Sequence, residues 1–186
     1  IGLRFIMCIW CSSNFIYPDE YWQSTEIAYD MIYGGVVLPW EWTKHYKIRN
    51  VLYPLYLSIP LRMLKYLGID YNCLAVSSYY FAHFIIVILG DYYFYQLGCK
   101  LIGKTGARIS MYLYISNKFL NIHIIKCFGN SIETIMNIII CYYFFDITHK
   151  FDKNISIVAF IAVISFMIRC TSIIGWVPLI IYMIIK

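Results

Sequence analysis

The sequence predicts an all-α integral membrane protein that crosses the bilayer several times. Of its 186 residues, 61% are hydrophobic and only 13% are charged, whereas soluble domains run near a quarter charged. Mean hydropathy is +0.67. Apolar runs recur along the whole chain, and a soluble fold would have to expose much of that Ile, Tyr and Phe in large patches. A net charge of +5 fits lysines in cytoplasmic turns, since no basic patch interleaves with a nucleic-acid recognition motif.

Residues 1–16 are apolar apart from Arg4 near the start and Ser12, Ser13 and Asn14 near the end. They read as a first span entering from the cytoplasm at Arg4. Residues 17–50 are polar. Glu20 to Tyr33 has helical propensity, with Gln23, Glu26, Ile27 and Asp30 at three- and four-residue spacings, and Gly34-Gly35 stops it. Trp40-Glu41-Trp42 with Lys44, Lys47 and Arg49 suits a membrane interface. Residues 51–67 are long enough to span but carry Pro54, Pro60, Arg62 and Lys65, and read equally as an interfacial helix.

Further spans are predicted at 74–97, from 109 to about 119, at 132–145, at 155–168 and from 173 onward. Between them, Gly98 to Arg108 reads as a loop with Lys100, Lys104 and Arg108 and no acid, and the turn 149–154 holds Lys150 and Lys153. The positive-inside rule puts both in the cytoplasm. They agree with Arg4 only if residues 51–67 do not cross, so 17–72 is predicted to be one lumenal loop ending in an interfacial helix, within a single transmembrane domain over 1–186. That topology leaves the sequon Asn154-Ile155-Ser156 cytoplasmic and unglycosylated. Both termini fall in apolar runs, which suggests a part of a longer protein.

The densest polar stretch follows the first span: Tyr17-Pro18-Asp19-Glu20-Tyr21-Trp22-Gln23-Ser24-Thr25-Glu26. A second lies at Asn117 to Glu133, with Asn121, His123, Lys126, Asn130 and Ser131. Arg169 and Thr171 form a third. By parity all three reach the lumenal face, and ionisable groups at membrane depth usually face a polar cavity. A carboxylate there, Asp19 or Glu20, can serve as a general base toward a hydroxyl; alternatively both merely favour the start of the helix that follows. Arg169 and Lys126 can hold a phosphate, or snorkel or pair with Glu133 or Asp19. Asn130-Ser131-Ile132-Glu133 can bind a sugar, or cap a helix with Glu133 in its first turn. His123 reads as structural.

Cys8 and Cys11 form a CxxC without a second pair, so a buried apolar role is expected. His45, His83, His123 and His149 make no metal-ligand spacing. There is no Gly-rich phosphate loop and no GxSxG motif. No metal and no cofactor are expected.

Several motifs in register resemble the Alg9-like mannosyltransferases, glycosyltransferase family 22. Phe15 to Ala28 is similar to that family's first lumenal loop, and Trp40-Glu41-Trp42-Thr43, Ile48-Arg49-Asn50 and Tyr53-Pro54 continue the match in order. Asn130-Ser131-Ile132-Glu133-Thr134 resembles its SNSxET stretch. Arg169-Cys170-Thr171-Ser172 with Trp176-Val177-Pro178-Leu179 resembles its RPT…WPL stretch. Cys170 replaces the usual proline, Gly129 stands where serine is common, and Pro39 precedes Trp40 where threonine is the pattern. The resemblance implies a GT-C fold in the endoplasmic reticulum membrane, with dolichyl-phosphate-mannose as donor and no nucleotide or obligatory metal. The branch it most resembles implies a GPI-anchor precursor lipid as acceptor and an inverting α-1,2 transfer of the third mannose. Related branches act instead on the N-glycan lipid precursor, and from the residues alone a transporter or an inactive fragment are rival readings. By the resemblance Asp19, or its neighbour Glu20, is the base. Trp22, Gln23, Glu26, Glu41, Arg49, Lys126, Asn130, Glu133, Arg169 and Thr171 are the candidate substrate contacts.

Overall fold

The computed structural model describes residues 2–13, 17–43, 49–147 and 153–185. The last residues of the predicted first span, Lys44, His45, Lys47, Ile48, His149 and Lys150 lie outside the described residues. Every regular element among the described residues is helical.

Helix α1, Gly2–Ser13, leads to a polar helical segment running from Pro18 to Tyr33. That segment is α2, Pro18–Glu20, a π turn over Tyr21–Thr25, and α3, Glu26–Tyr33. Proline suits its first turn because the missing N–H would have no partner there. It stops where the sequence says, at Gly34, whose φ of 72° few side chains tolerate and whose N–H donates to the Asp30 carbonyl at 2.9 Å. A single 3-10 turn, Trp40–Trp42, precedes α4, Leu52–Leu67. Helix α4 buries Tyr53, Leu57 and Leu61, while Leu55, Ile59, Met63 and Tyr66 are exposed on its other side.

Helix α5, Asn72–Ser116, is two arms. Gly103 has φ 74° and ψ 170°, so the chain reverses there. Phe94 and Tyr114 lie 4.7 Å apart ring to ring; in one straight helix twenty residues would separate them by about 30 Å. This corrects the predicted loop at Gly98 to Arg108. Lys100, Lys104 and Arg108 are good helix formers, and one left-handed glycine suffices to turn the chain. Helices α6, Lys118–Ile125, and α7, Gly129–Phe144, follow at 104° to one another; α8, Lys153–Ile168, and α9, Ser172–Ile185, complete the described chain.

Paired contacts fix the directions. Arg4 of α1 meets Asp91 at 2.8 Å, while the Cys11 carbonyl seven residues on is tied through Lys126 to Tyr80, so α1 and the first arm of α5 are antiparallel. Helix α7 runs beside that arm, from the Ser131–His123 bond at its start to the Tyr93–Tyr143 hydroxyls at 2.9 Å and the Lys100–Asp146 pair beyond its end. Helix α8 returns to set Arg169 beside Glu133, and α9 descends again past Asn137 and Phe144. The described segments 17–43, 49–71, 126–128 and 169–171 therefore gather at one end of the stack. The turn at Gly103 and the Lys100–Asp146 pair mark the other.

Two expectations are corrected by the interior. Arg4 is 2% exposed and grips Asp91 through two nitrogens, with Asn121 accepting from a third at 2.5 Å. It is a buried pairing group between α1, α5 and α6, and not a charge at the water-facing entry of the first span. Asn121 likewise turns inward to Arg4 rather than to a cavity, because a guanidinium removed from water needs its donors filled. By length and composition Asn72–Ser116 is the one described helix long and apolar enough to cross a membrane, with the bent α6–α7 pair passing the same test together.

Candidate active site

At the end where the three turns gather lies an open pocket of about 610 Å³. Asp19 and Gln23 contribute from the first polar helix, four residues apart and therefore on one face. Arg49 comes from the segment before α4, Phe119, Leu120, His123 and Ile124 from α6, and Asn130, Ser131 and Thr134 from the start of α7. Arg169 closes the set from the α8–α9 turn, with Phe128 and Tyr114 in the walls. A carboxylate, two guanidiniums, amides and hydroxyls share one cavity with aromatic rings. That composition can accept a proton from a hydroxyl, hold an anion and hydrogen-bond a polyol.

Each arginine is steadied by an acid. Arg169 Nε lies 2.9 Å from Glu133 Oε2, and Thr171 bridges the two, accepting from Arg169 Nε at 3.3 Å and donating to Glu133 at 3.5 Å. Arg49 Nε lies 2.6 Å from Glu41 Oε2. Both arginines also border a neighbouring pocket of about 470 Å³ with Thr171 and the apolar end of α8, Phe166 to Ile168. Gly129 matters here. A Cβ on it would come within 3.3 Å of Arg169 Cδ, so glycine lets the arginine stem lie against the start of α7.

The predicted residues divide. Asp19, Gln23, Arg49, Asn130 and Arg169 line the pocket; Glu41, Glu133 and Thr171 stand behind it as partners of the arginines. Glu20 does not reach it. Its side chain is in the core, where Oε1 accepts the Cys127 N–H at 2.7 Å and Oε2 lies 3.3 Å from Lys126 Nζ. Burial pushes the Glu20 carboxyl above the usual carboxylate range, and the Lys126 ammonium pulls it part of the way back. Lys126 is likewise fully buried, donating to the Cys11 carbonyl and the Tyr80 hydroxyl, so it does not face the cavity as a phosphate contact. Helical rotation of about 100° per residue separates the two acids: Asp19 turns to the cavity and Glu20 to the core.

Glu26 lies elsewhere, lining a separate pocket of about 330 Å³ with Tyr21, Tyr29 and Tyr79. The hydrogen bond to Glu26, with burial, pushes the Tyr21 phenol up to about 12. Trp22 is 45% exposed and packs edge-on against Tyr21. The predicted helix cap at Asn130 or Ser131 is not formed. Helix α7 begins at Gly129 with Phe128 before it, and the Ser131 hydroxyl donates to the His123 carbonyl across the sharp bend.

His123 is the wall residue that pattern reading set aside. Its Nε2 lies 3.3 Å from the Tyr17 hydroxyl, its ring lies tilted against Phe119 with centroids 4.1 Å apart, and it lines the pocket directly. Isolation on an apolar stretch hid it, because the turn that brings it beside the first polar helix is more than a hundred residues away in sequence.

A chain whose described regular elements are all helical, with a carboxylate and two braced arginines in one open pocket, has the makings of a group-transfer site. Comparison with known families makes the class definite: the Alg9-like mannosyltransferase family model matches residues 1–186, and the chain belongs to that family. It is 30% identical over 179 residues to GPI alpha-1,2-mannosyltransferase 3 of Bos taurus, a match covering 96% of this chain and 32% of that protein. It is 30% identical over 169 residues to GPI mannosyltransferase 3 of Yarrowia lipolytica, covering 90% and 33%. A 53-residue stretch is 53% identical to GPI mannosyltransferase 3 of Trypanosoma brucei brucei. The chain thus spans about a third of the length of the curated relatives it matches over most of its own. No solved structure matches it.

Proposed function

We propose that this chain forms the base-bearing part of a mannosyltransferase of GPI-anchor synthesis in the endoplasmic reticulum membrane. The donor is dolichyl-phosphate-mannose, the acceptor a GPI-precursor lipid, and the product an α-1,2-linked third mannose. The observation that carries the reading is that Asp19, Gln23, Asn130 and Arg169, from three separate segments, line one pocket. The names of the relatives supply the sugar and the pathway.

In this reading the Asp19 carboxylate takes the proton from the acceptor hydroxyl. The hydroxyl oxygen bonds to the anomeric carbon of mannose from the face opposite the lipid phosphate, whose bond to that carbon breaks, so configuration inverts. Arg169 and Arg49 hold the departing phosphate, on which negative charge develops. Gln23 and Asn130 hydrogen-bond sugar hydroxyls. The protein is a multi-span GT-C enzyme with residues 17–72 on the lumenal face. Two features support the embedding: large apolar side chains such as Ile6, Trp10, Phe81, Ile85, Phe160 and Ile174 are exposed along the helices, and the exposed Leu55–Ile59–Met63–Tyr66 face of α4 suits a bilayer interface.

The test is transfer of mannose from dolichyl-phosphate-mannose to a GPI-precursor lipid by membranes carrying the intact protein. Asp19→Asn is expected to insert normally and lose activity by roughly 10²–10⁴-fold. Unchanged transfer by that variant removes Asp19 from the base role.

A further inference from the structure

We infer that the buried Glu20–Lys126 pair is a positioning device that sets the proposed base against the opposite wall of the pocket. The inference rests on the reading of Asp19 as the base. Asp19 sits on the first turn of its helical segment, which the preceding described residue, Tyr17, enters in extended conformation. What fixes that turn is its neighbour. Glu20 Oε1 accepts the Cys127 N–H at 2.7 Å and Oε2 faces Lys126 Nζ at 3.3 Å, with Glu20 1% exposed and Lys126 0%. Lys126 is itself held at 3.2 Å by the carbonyl of Cys11 in α1 and at 3.1 Å by the hydroxyl of Tyr80 in α5.

The consequence is geometric. Residues 126–128 form the bend between α6 and α7, and the helices on either side of that bend bring His123 and Asn130 to the pocket. One carboxylate therefore joins the strand of chain bearing Asp19 to the corner of the wall it must face. Two adjacent acids divide the work, one turned to the cavity and one to the core. A shift of about 1 Å between base and reacting hydroxyl can cost on the order of 10²-fold in rate, so a tether of this kind acts on turnover more than on affinity.

The experiment compares four forms of the intact protein in membranes: wild type, Asp19→Asn, the double variant Glu20→Leu/Lys126→Met, and the double variant Glu20→Gln/Lys126→Met. The Leu/Met pair fills the space without charge and keeps the fold, because a well-packed apolar pair can replace a buried ion pair. The Gln/Met pair also keeps an oxygen for the Cys127 N–H. Expected for Leu/Met is a folded protein with a somewhat lower detergent melting temperature, because the Cys127 N–H is left unpaired, KM within about twofold, and, per folded molecule, kcat lower by roughly 10- to 100-fold. Gln/Met restores most of that kcat. Wild-type kcat in Leu/Met, or a loss that follows only the folded fraction, overturns the positioning role while an inactive Asp19→Asn leaves the base standing. Full activity in Asp19→Asn overturns both.

Discussion

Two acid–base pairs sit at the same end of this molecule and differ in their access to water. Glu20–Lys126 is sealed, with side chains 2% and 0% exposed; Glu133–Arg169 is 19% and 25% exposed and borders the pocket. The sealed pair joins two segments 106 residues apart and is surrounded by backbone and hydroxyl partners that leave it one arrangement. The partly exposed pair retains donors that a phosphate can take, since a guanidinium offers five N–H groups and a single carboxylate cannot fill them. The difference teaches that charge in the polar segments of a largely apolar chain has two uses, and burial separates them.

The comparison breaks most visibly through Lys126→Ala. Removing one partner strands the Glu20 carboxylate in the core, which typically costs about 3–5 kcal/mol. The expected outcome is a large drop in detergent melting temperature and in the amount of folded protein recovered, read by fluorescence size-exclusion after a heat step. Arg169→Gln should do the opposite. Its pair is partly exposed and worth about 1 kcal/mol to stability, so the melting temperature changes little while transfer falls by roughly 10²-fold through lost phosphate stabilisation. If both variants lose stability equally, the division between sealed and working pairs is wrong. The smallest effect belongs to Gly129→Ser. Its Cβ would press on Arg169 Cδ at 3.3 Å, and the flexible stem can yield by a few tenths of an ångström. A change in activity of about twofold or less, with no loss of folded protein, is expected; a loss as large as that of Arg169→Gln would mean the arginine cannot relax.

The helical character of the described residues was legible in composition and hydropathy, and most helices were placed by apolar runs between polar breaks. Gly34 ended its helix as read, and residues 51–67 proved helical. The loop at Gly98 to Arg108 was misread because lysines in a membrane-like chain suggest an exposed turn, yet they propagate a helix up to one glycine on each side. Arg4 reads in the sequence as the cytoplasmic entry of a span because sequence shows a charge and not its partner; Asp91, 87 residues away, is that partner.

The sequence by itself determined that polar groups would cluster at three places along an apolar chain, and its motifs pointed to a sugar-transfer family. Only the tertiary structure decided which of those groups share a cavity. Asp19 and Glu20 are adjacent and chemically alike, and helical rotation sends one to the pocket and the other to Lys126. His123 looked idle until the bend at 126–128 set it in the wall. Local pattern records which residues want water or oil; which face each presents, and to what, is set by long-range packing that no short window contains.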